Sequence, residues 1–130
     1  DLYQSRYKDL VSEKNTVIEN GFDEANFQKL ETLKNRETPF NERKFTLYYC
    51  GVLYPNGRDP IPIFEAMSML QKQGLINSDN FELIFQGAGD RKEFENKINT
   101  LEVAQLIKFI EPVPFIKALN NMTQADALLL

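Results

Sequence analysis

The chain has 130 residues, a formal net charge of −4, 42% hydrophobic and 26% charged residues, which suits one soluble globular domain that needs neither disulfide nor metal to fold. The acidic balance argues against general nucleic-acid or anionic-membrane binding, which needs a basic face, while leaving room for a local basic pocket. With no His in the sequence, a Ser-His-Asp or Cys-His centre and a His-ligated metal within these residues are excluded.

Residues 2–14 place Tyr3, Tyr7, Leu10 and Val11 at helical spacing. The start is polar and charged, so no signal peptide is visible, and no apolar run approaches the ~20 residues of a membrane span. Thr16-Val17-Ile18 is a brief β-prone run, and Asn20-Gly21 is a turn signal. Asp23 is placed to cap a short helical segment containing Ala25 and Phe27, continued by Leu30 and Leu33. The polar stretch 35–44, with its Pro, reads as a linker or surface loop.

A regular pattern then begins. Phe45–Cys50 is nearly continuous apolar and aromatic sequence, as in a parallel strand buried on both faces. Cys50 is the lone cysteine, which fits a reducing compartment, and it reads as a small buried core residue. Asp59 is the expected N-cap of the next helix, with Pro60 at its first position and Pro62 still in the first turn. Ile61, Phe64, Met67 or Ser68, and Leu70 to Gln71 carry it onward with an apolar core face, and Gly74 ends it. Phe81–Gln86 is a second strand, followed by the loop Gly87-Ala88-Gly89 and a helix with Phe94, Ile98 and Leu101 on one face. Asp90 and Glu93 have capping-box spacing at its start. Leu106–Ile110 is a third strand, Pro114 starts a helix with Ile116, Leu119 and Met122, and Asp126–Leu130 is a fourth strand. Strands alternating with helices predict an α/β fold: a Rossmann-like, doubly wound parallel sheet built from right-handed βαβ units. Residues 1–44 form an N-terminal helix, hinge-like segment and linker, and 45–130 the Rossmann-like domain. The apolar ending suggests a piece cut from something longer.

Open parallel sheets bind ligands outside the carboxyl ends of their strands. Three loops lie there: Gly51–Asp59, Gly87–Asp90 and Glu111–Pro114. Phe45–Ala66 forms a strand, a loop and a helix start, an arrangement whose free N–H groups and helix dipole can hold a phosphate. Gly51 lets the backbone approach a ligand, and Arg58 carries a planar fork suited to phosphate oxygens. Asp59 would repel a phosphate unless paired with Arg58. Gly87-Ala88-Gly89 begins like a dinucleotide fingerprint but has Lys92 where the third Gly would fall, and no Walker-type GxxxxGK[ST] occurs. Asn121-Met122-Thr123 matches the glycosylation sequon by coincidence, and the mixed-charge run Asp90 to Glu95 reads as a solvated helix start rather than a metal site.

The order of these segments resembles the C-terminal half of a group 1 (family 4) glycosyltransferase of the GT-B fold. Thr16 to Asp23 through Phe27 is similar to the family's "vIpNGvD…F" segment; Phe45–Gly51 with Leu53 to Pro60 is similar to its first strand and phosphate loop. Ile84 to Gly89 resembles "l.ivG.G", and Val113-Pro114 through Ala125-Asp126 resembles "v…e…y..aDv". The resemblance implies a hexosyltransferase-type enzyme that transfers a sugar, with retention, from a nucleotide-diphosphate-sugar donor to a glycan or lipid-linked glycan acceptor, as in polysaccharide assembly. It implies no cofactor beyond that donor, a cytoplasmic setting, and the inner face of the membrane as one workplace for the full-length enzyme. Residue by residue, it implies that Gly51 and Arg58 bind the donor diphosphate and that Gly87, Gly89 and Val113 line the nucleotide side. Val52 stands where the family often has a second basic residue. The family's acidic motif, two Glu separated by seven residues, would follow Leu130, and the acceptor would bind a preceding domain, so this stretch is expected to bind donor and to carry no catalytic residue or activity alone. The second reading is a non-catalytic nucleotide- or phospholigand-binding module of the same fold, since fold does not fix function. A response-regulator-like domain fits less well, because no acidic cluster ends the first strand.

Overall fold

The structure, a computed structural model, describes residues 6, 16, 18, 20–31, 37, 39–54 and 59–130. Apart from Arg6, the helix expected over residues 2–14 lies outside them, as do Val17, Leu33 and Arg58. Thr16 and Ile18 are exposed and in no strand, contrary to the β-prone reading of that run.

The elements are Glu24–Glu31 (α1), Phe45–Cys50 (β1), Ile61–Lys72 (α2), Phe81–Gln86 (β2), Lys92–Thr100 (α3), a 3-10 turn Ala104–Leu106, Ile107–Ile110 (β3), Phe115–Met122 (α4) and Ala127–Leu128 (β4). Local chemistry accounts for most of their ends. Asp23 Oδ1 accepts from the Ala25 N–H at 3.0 Å and starts α1. Pro60, in helical geometry, rather than Asp59 stands at the N-cap of α2, and Asp59 Oδ1 accepts from the Ile61 N–H at 2.9 Å from one position further out. Gly74 takes a positive φ of 74° and donates to Gln71 O, and Leu75 donates to Leu70 O, closing that helix. Asp90 Oδ1 accepts from Lys92 N–H at 3.0 Å at the start of α3.

Two strands differ from expectation at their ends. Leu106 belongs to the 3-10 turn, so β3 starts one residue later. Only Ala127 and Leu128 of the expected fourth strand pair, with Leu47 and Tyr48 of β1. Asp126 stays outside because its carboxylate takes the Thr46 N–H at 2.7 Å, a position the ladder would otherwise fill with a carbonyl.

The four strands are all parallel, in the order β3-β2-β1-β4. The chain therefore runs outward from β1 to β3 and then returns to the other side of β1, so the β1/β4 boundary is the switch point of the sheet. Period-2 alternation sends Leu47, Tyr49, Leu83, Phe85, Ile107 and Phe109 to one face, where they meet Phe64 and Met67 of α2 and Phe94 and Ile98 of α3. Phe85 sits at the centre, with ring centroids 5.2 Å from Phe109, 5.7 Å from Tyr49 and 6.0 Å from Phe64. The opposite face carries Thr46, Tyr48, Cys50, Glu82, Ile84, Gln86, Lys108 and Ile110, beneath α4, on which α1 in turn packs. With helices on both sides, the sheet is doubly wound.

The second face is not the continuous apolar surface that the strand sequences suggest. Glu82 is buried there, and its carboxylate accepts from Lys108 Nζ at 2.6 Å, Thr46 Oγ1 at 3.0 Å and the Asn41 N–H at 3.1 Å. Burial works to raise its pKa, but the Lys108 ammonium, the Asn41 N–H and the Thr46 hydroxyl outweigh it and hold the carboxyl below its usual range. Phe40 lies edge-on to the Tyr48 ring at 5.2 Å. The stretch 35–44 thus carries two anchors, Phe40 and Asn41, on this face.

Candidate functional site

Strands β1, β2 and β3 end at Cys50, Gln86 and Ile110, and the loops that leave them are hydrogen-bonded to one another. The Gly51 N–H donates to Gln86 O at 3.0 Å, Leu53 N–H to Ala88 O at 3.0 Å and Gly87 N–H to Ile110 O at 3.0 Å. The parallel ladder is thereby carried past the strand ends. Gly51 has φ +141°, and an added Cβ would meet only Tyr49 ring atoms at 3.7 Å or more, so backbone conformation rather than space calls for glycine there. Tyr49 Oη donates to Val52 O at 3.1 Å and pins the loop over its own strand. At Gly89, φ +81°, a Cβ would lie 3.3 Å from Val52 Cγ1. Val52, which stands where the resemblance suggests a second cation, therefore packs on the second glycine loop.

Among the described residues, two of the cavities at this edge lie against these loops. One, of about 550 Å³, lies at the β1/β4 switch point and is lined by Tyr49, Leu53, Asp59, Pro60, Ile63 and Leu129. It is mainly apolar. The other, of about 490 Å³, lies between the loops after β2 and β3 and brings Gly87 and Gly89 together with Arg91, Phe109, Glu111 and Pro112. Val113, half-buried, is the next residue along. The Arg91 guanidinium lies 5.6 Å from the Phe109 ring centroid and 3.5 Å from Glu95, so it caps one wall of this second cavity. Of the expected site residues, Gly87, Gly89 and the approach to Val113 share one cavity. Gly51 stands beside it, joined through Gln86, and Arg58 lies outside the described residues.

The start of α2 differs from what the sequence suggests. Pro60 and Pro62 have no N–H, Ile61 N–H is taken by Asp59 Oδ1 at 2.9 Å, and Ile63 and Phe64 both donate to Pro60 O at 3.1 and 3.2 Å. The Gly51 amide is likewise spent on Gln86 O. The free N–H groups expected to meet a phosphate at this helix are therefore absent or occupied.

Sequence reasoning missed Gln86. It is buried at the end of β2, and its side chain reaches three other elements. Its Oε1 accepts from the Tyr48 hydroxyl of β1 and from Asn121 Nδ2 of α4, the latter at 2.9 Å, while its Nε2 donates to Glu111 O at 3.0 Å in the loop after β3. The only trace in the sequence is an amide closing the otherwise apolar Phe81–Gln86 run. Burial, helped by Cys50, pushes the Tyr48 phenol well above its usual pKa, so it stays a donor in this cluster. Asn121 is fully buried, with its Nδ2 engaged, which leaves the sequon around it out of reach of a glycosylating enzyme. Cys50 is half-buried, on the second face and outside the main core, not the core residue expected.

Among the described residues, no group of three His, Cys, Asp or Glu side chains is placed to hold a metal ion, and no helix is long and apolar enough to cross a membrane. No family model, no curated protein and no solved structure matches this chain at a significant level.

Proposed function

We propose that this chain is the donor-binding part of a retaining, hexosyltransferase-type glycosyltransferase that takes a sugar from a nucleotide-diphosphate carrier. The observation that carries the reading is the convergence of the Gly51, Gly87–Gly89 and Glu111–Val113 loops at the carboxyl edge of a parallel sheet, next to its switch point. The resemblance of the sequence segments supplies the reaction class. In this reading Gly51 and Arg58 serve the diphosphate, and Gly87, Gly89 and Val113 the nucleoside. With the amides that open α2 occupied, Arg58 becomes the principal cation for the departing nucleotide diphosphate, and its guanidinium stabilises that developing charge without metal or His. The sugar acceptor, a glycan or lipid-linked glycan, and the catalytic carboxylates belong to segments outside these residues, and the setting is cytoplasmic. The chain alone is expected to bind donor and not to transfer sugar.

The test is an amide NMR titration with UDP, GDP, ADP and their sugar conjugates. Shifts in the Gly51–Asp59 and Gly87–Asp90 loops are expected, and Arg58→Ala should weaken binding by ~1–3 kcal/mol, the scale of a charge-assisted hydrogen bond. Unmoved amides in both loops would remove the reading. A Glu pair seven residues apart encoded soon after Leu130, with an upstream domain of comparable size, goes with the enzyme; a stop codon there goes with a non-catalytic nucleotide-binding module.

A further inference from the structure

We infer that Gln86 is a positioning residue that sets the distance between the diphosphate side and the nucleoside side of the donor cleft; this rests on the donor-binding reading above. Two candidate loops hang on this one residue. Its backbone carbonyl accepts from the Gly51 N–H at 3.0 Å, and its side-chain Nε2 donates to Glu111 O at 3.0 Å. The first bond holds the loop after β1, and the second holds the loop that leads to Val113. The side chain has little freedom of its own, because Oε1 is gripped by the Tyr48 hydroxyl and by Asn121 Nδ2 inside a buried cluster. With Oε1 fixed as the acceptor of two bonds, the amide must point its N–H toward Glu111 O. A buried group that is hydrogen-bonded at both ends holds its neighbours to a narrow geometry, which is what a preorganised site requires of its supporting residues.

The two bonds respond differently to substitution. The Gly51 bond uses the backbone and survives any side chain at position 86. The Glu111 bond needs an amide. Gln86→Met, similar in length and without donor or acceptor, removes the tie to Glu111 and leaves Gly51 in place. Gln86→Glu retains acceptors for Tyr48 and Asn121 and, once its carboxyl is ionised at alkaline pH, presents no donor to Glu111 O, so it carries the test there should the Met variant fail to fold. Asn121→Ala is the control, because it loosens the buried cluster while the Tyr48 hydroxyl still holds Oε1 and so keeps the amide turned toward Glu111 O.

The probes are UDP, GDP and ADP, read by amide shifts at saturation and by affinity. Each Gln86 variant should bind the preferred nucleotide about three- to tenfold more weakly, the effect of one net hydrogen bond. Ligand-induced shifts at Glu111 and Val113 should shrink while those at Gly51 to Leu53 persist, and Asn121→Ala should keep both sets. The inference is overturned if the Gln86 variants bind and shift like the wild type, if both sets of shifts decline together, or if Asn121→Ala loses the Glu111 and Val113 shifts as well. Failure of the underlying reading is told apart, since it shows as a wild-type chain that binds none of the three nucleotides.

Discussion

On one face of the sheet Leu83, Phe85, Tyr49 and Phe109 meet Phe64, Met67, Phe94 and Ile98 from α2 and α3. On the other, Thr46, Glu82 and Lys108 form one polar group with Asn41, and Tyr48, Gln86 and Asn121 form a second. Both faces are made by the same three strands, through alternate residues. The apolar face supplies burial, which is strong and indifferent to direction. The polar face supplies direction: a buried hydrogen bond is costly to leave unmade, so it holds its partners to one arrangement. One loop contact made by a buried side chain, Gln86 to Glu111 O, comes from that polar face; another, Tyr49 to Val52 O, is made by the hydroxyl of a ring on the apolar face. The polar face also carries a cost. Among the described residues the buried side-chain atom left without a hydrogen bond is Asn121 Oδ1, a deficit on the order of 1–3 kcal/mol.

Substitutions on the two faces should therefore fail in different ways. The largest expected loss is on the apolar face: Phe85→Ala, which empties the centre of the aromatic cluster, should cost about 4 kcal/mol in urea unfolding. That loss should not vary with pH, because a phenyl ring takes up no proton in either the folded or the unfolded state.

Next comes Lys108→Met, which leaves the Glu82 carboxylate buried without its cation. Because the Lys108 side chain is half exposed, the loss should be about 2 kcal/mol at neutral pH, between the values for surface and buried pairs. Its pH dependence has a definite sign. The Glu82 carboxyl is held below its ordinary value of 4.5, so its contribution is complete above that pH and is lost as pH falls through the lower native value. The gap between wild type and Lys108→Met should therefore close on acidification; a gap that stays constant down to the acid transition would show that the ion pair contributes nothing.

Tyr48→Phe is the mildest, at about 1 kcal/mol, since Asn121 continues to satisfy Gln86 Oε1. Its signature lies at the alkaline end. The buried phenol resists ionisation, so its contribution is full below the ordinary value of 10.0 and is lost as pH rises above it. Thermal unfolding of the Phe variant should be less sensitive than the wild type to pH above that value; equal sensitivity would place the alkaline transition elsewhere.

Much of the fold was legible in the chain. Phe45–Cys50 and Phe81–Gln86 are strands with the bounds expected, because compact apolar runs between polar turns leave little choice of length. Asp23, Asp59 and Asp90 each accept a backbone N–H two residues on, and Gly74 ends α2 in left-handed geometry. These are short-range effects, decided within one or two helical turns. The candidate site was legible only as three loops and their glycines. That the amides of α2 would be occupied could be read in part, from Pro60, Pro62 and the carboxylate of Asp59. The roles of Tyr49 and Gln86 could not, because a tyrosine inside an apolar run and an amide at its end look the same whether or not a partner stands opposite.

The sequence by itself determined the alternation of strands and helices, the helix starts and the loops at the carboxyl ends, since hydrophobic period, capping side chains and glycine geometry act over a few residues. Only the tertiary structure decided which face would be polar and how the loops would be joined. Asp126 reaches the Thr46 N–H across 80 positions, Asn41 reaches Glu82 across 41, and Asn121 reaches Gln86 across 35. No local pattern encodes such pairs. They exist because β4 returns to the far side of β1 and brings α4 across the second face, where the buried polar groups of distant segments become one another's only solvent.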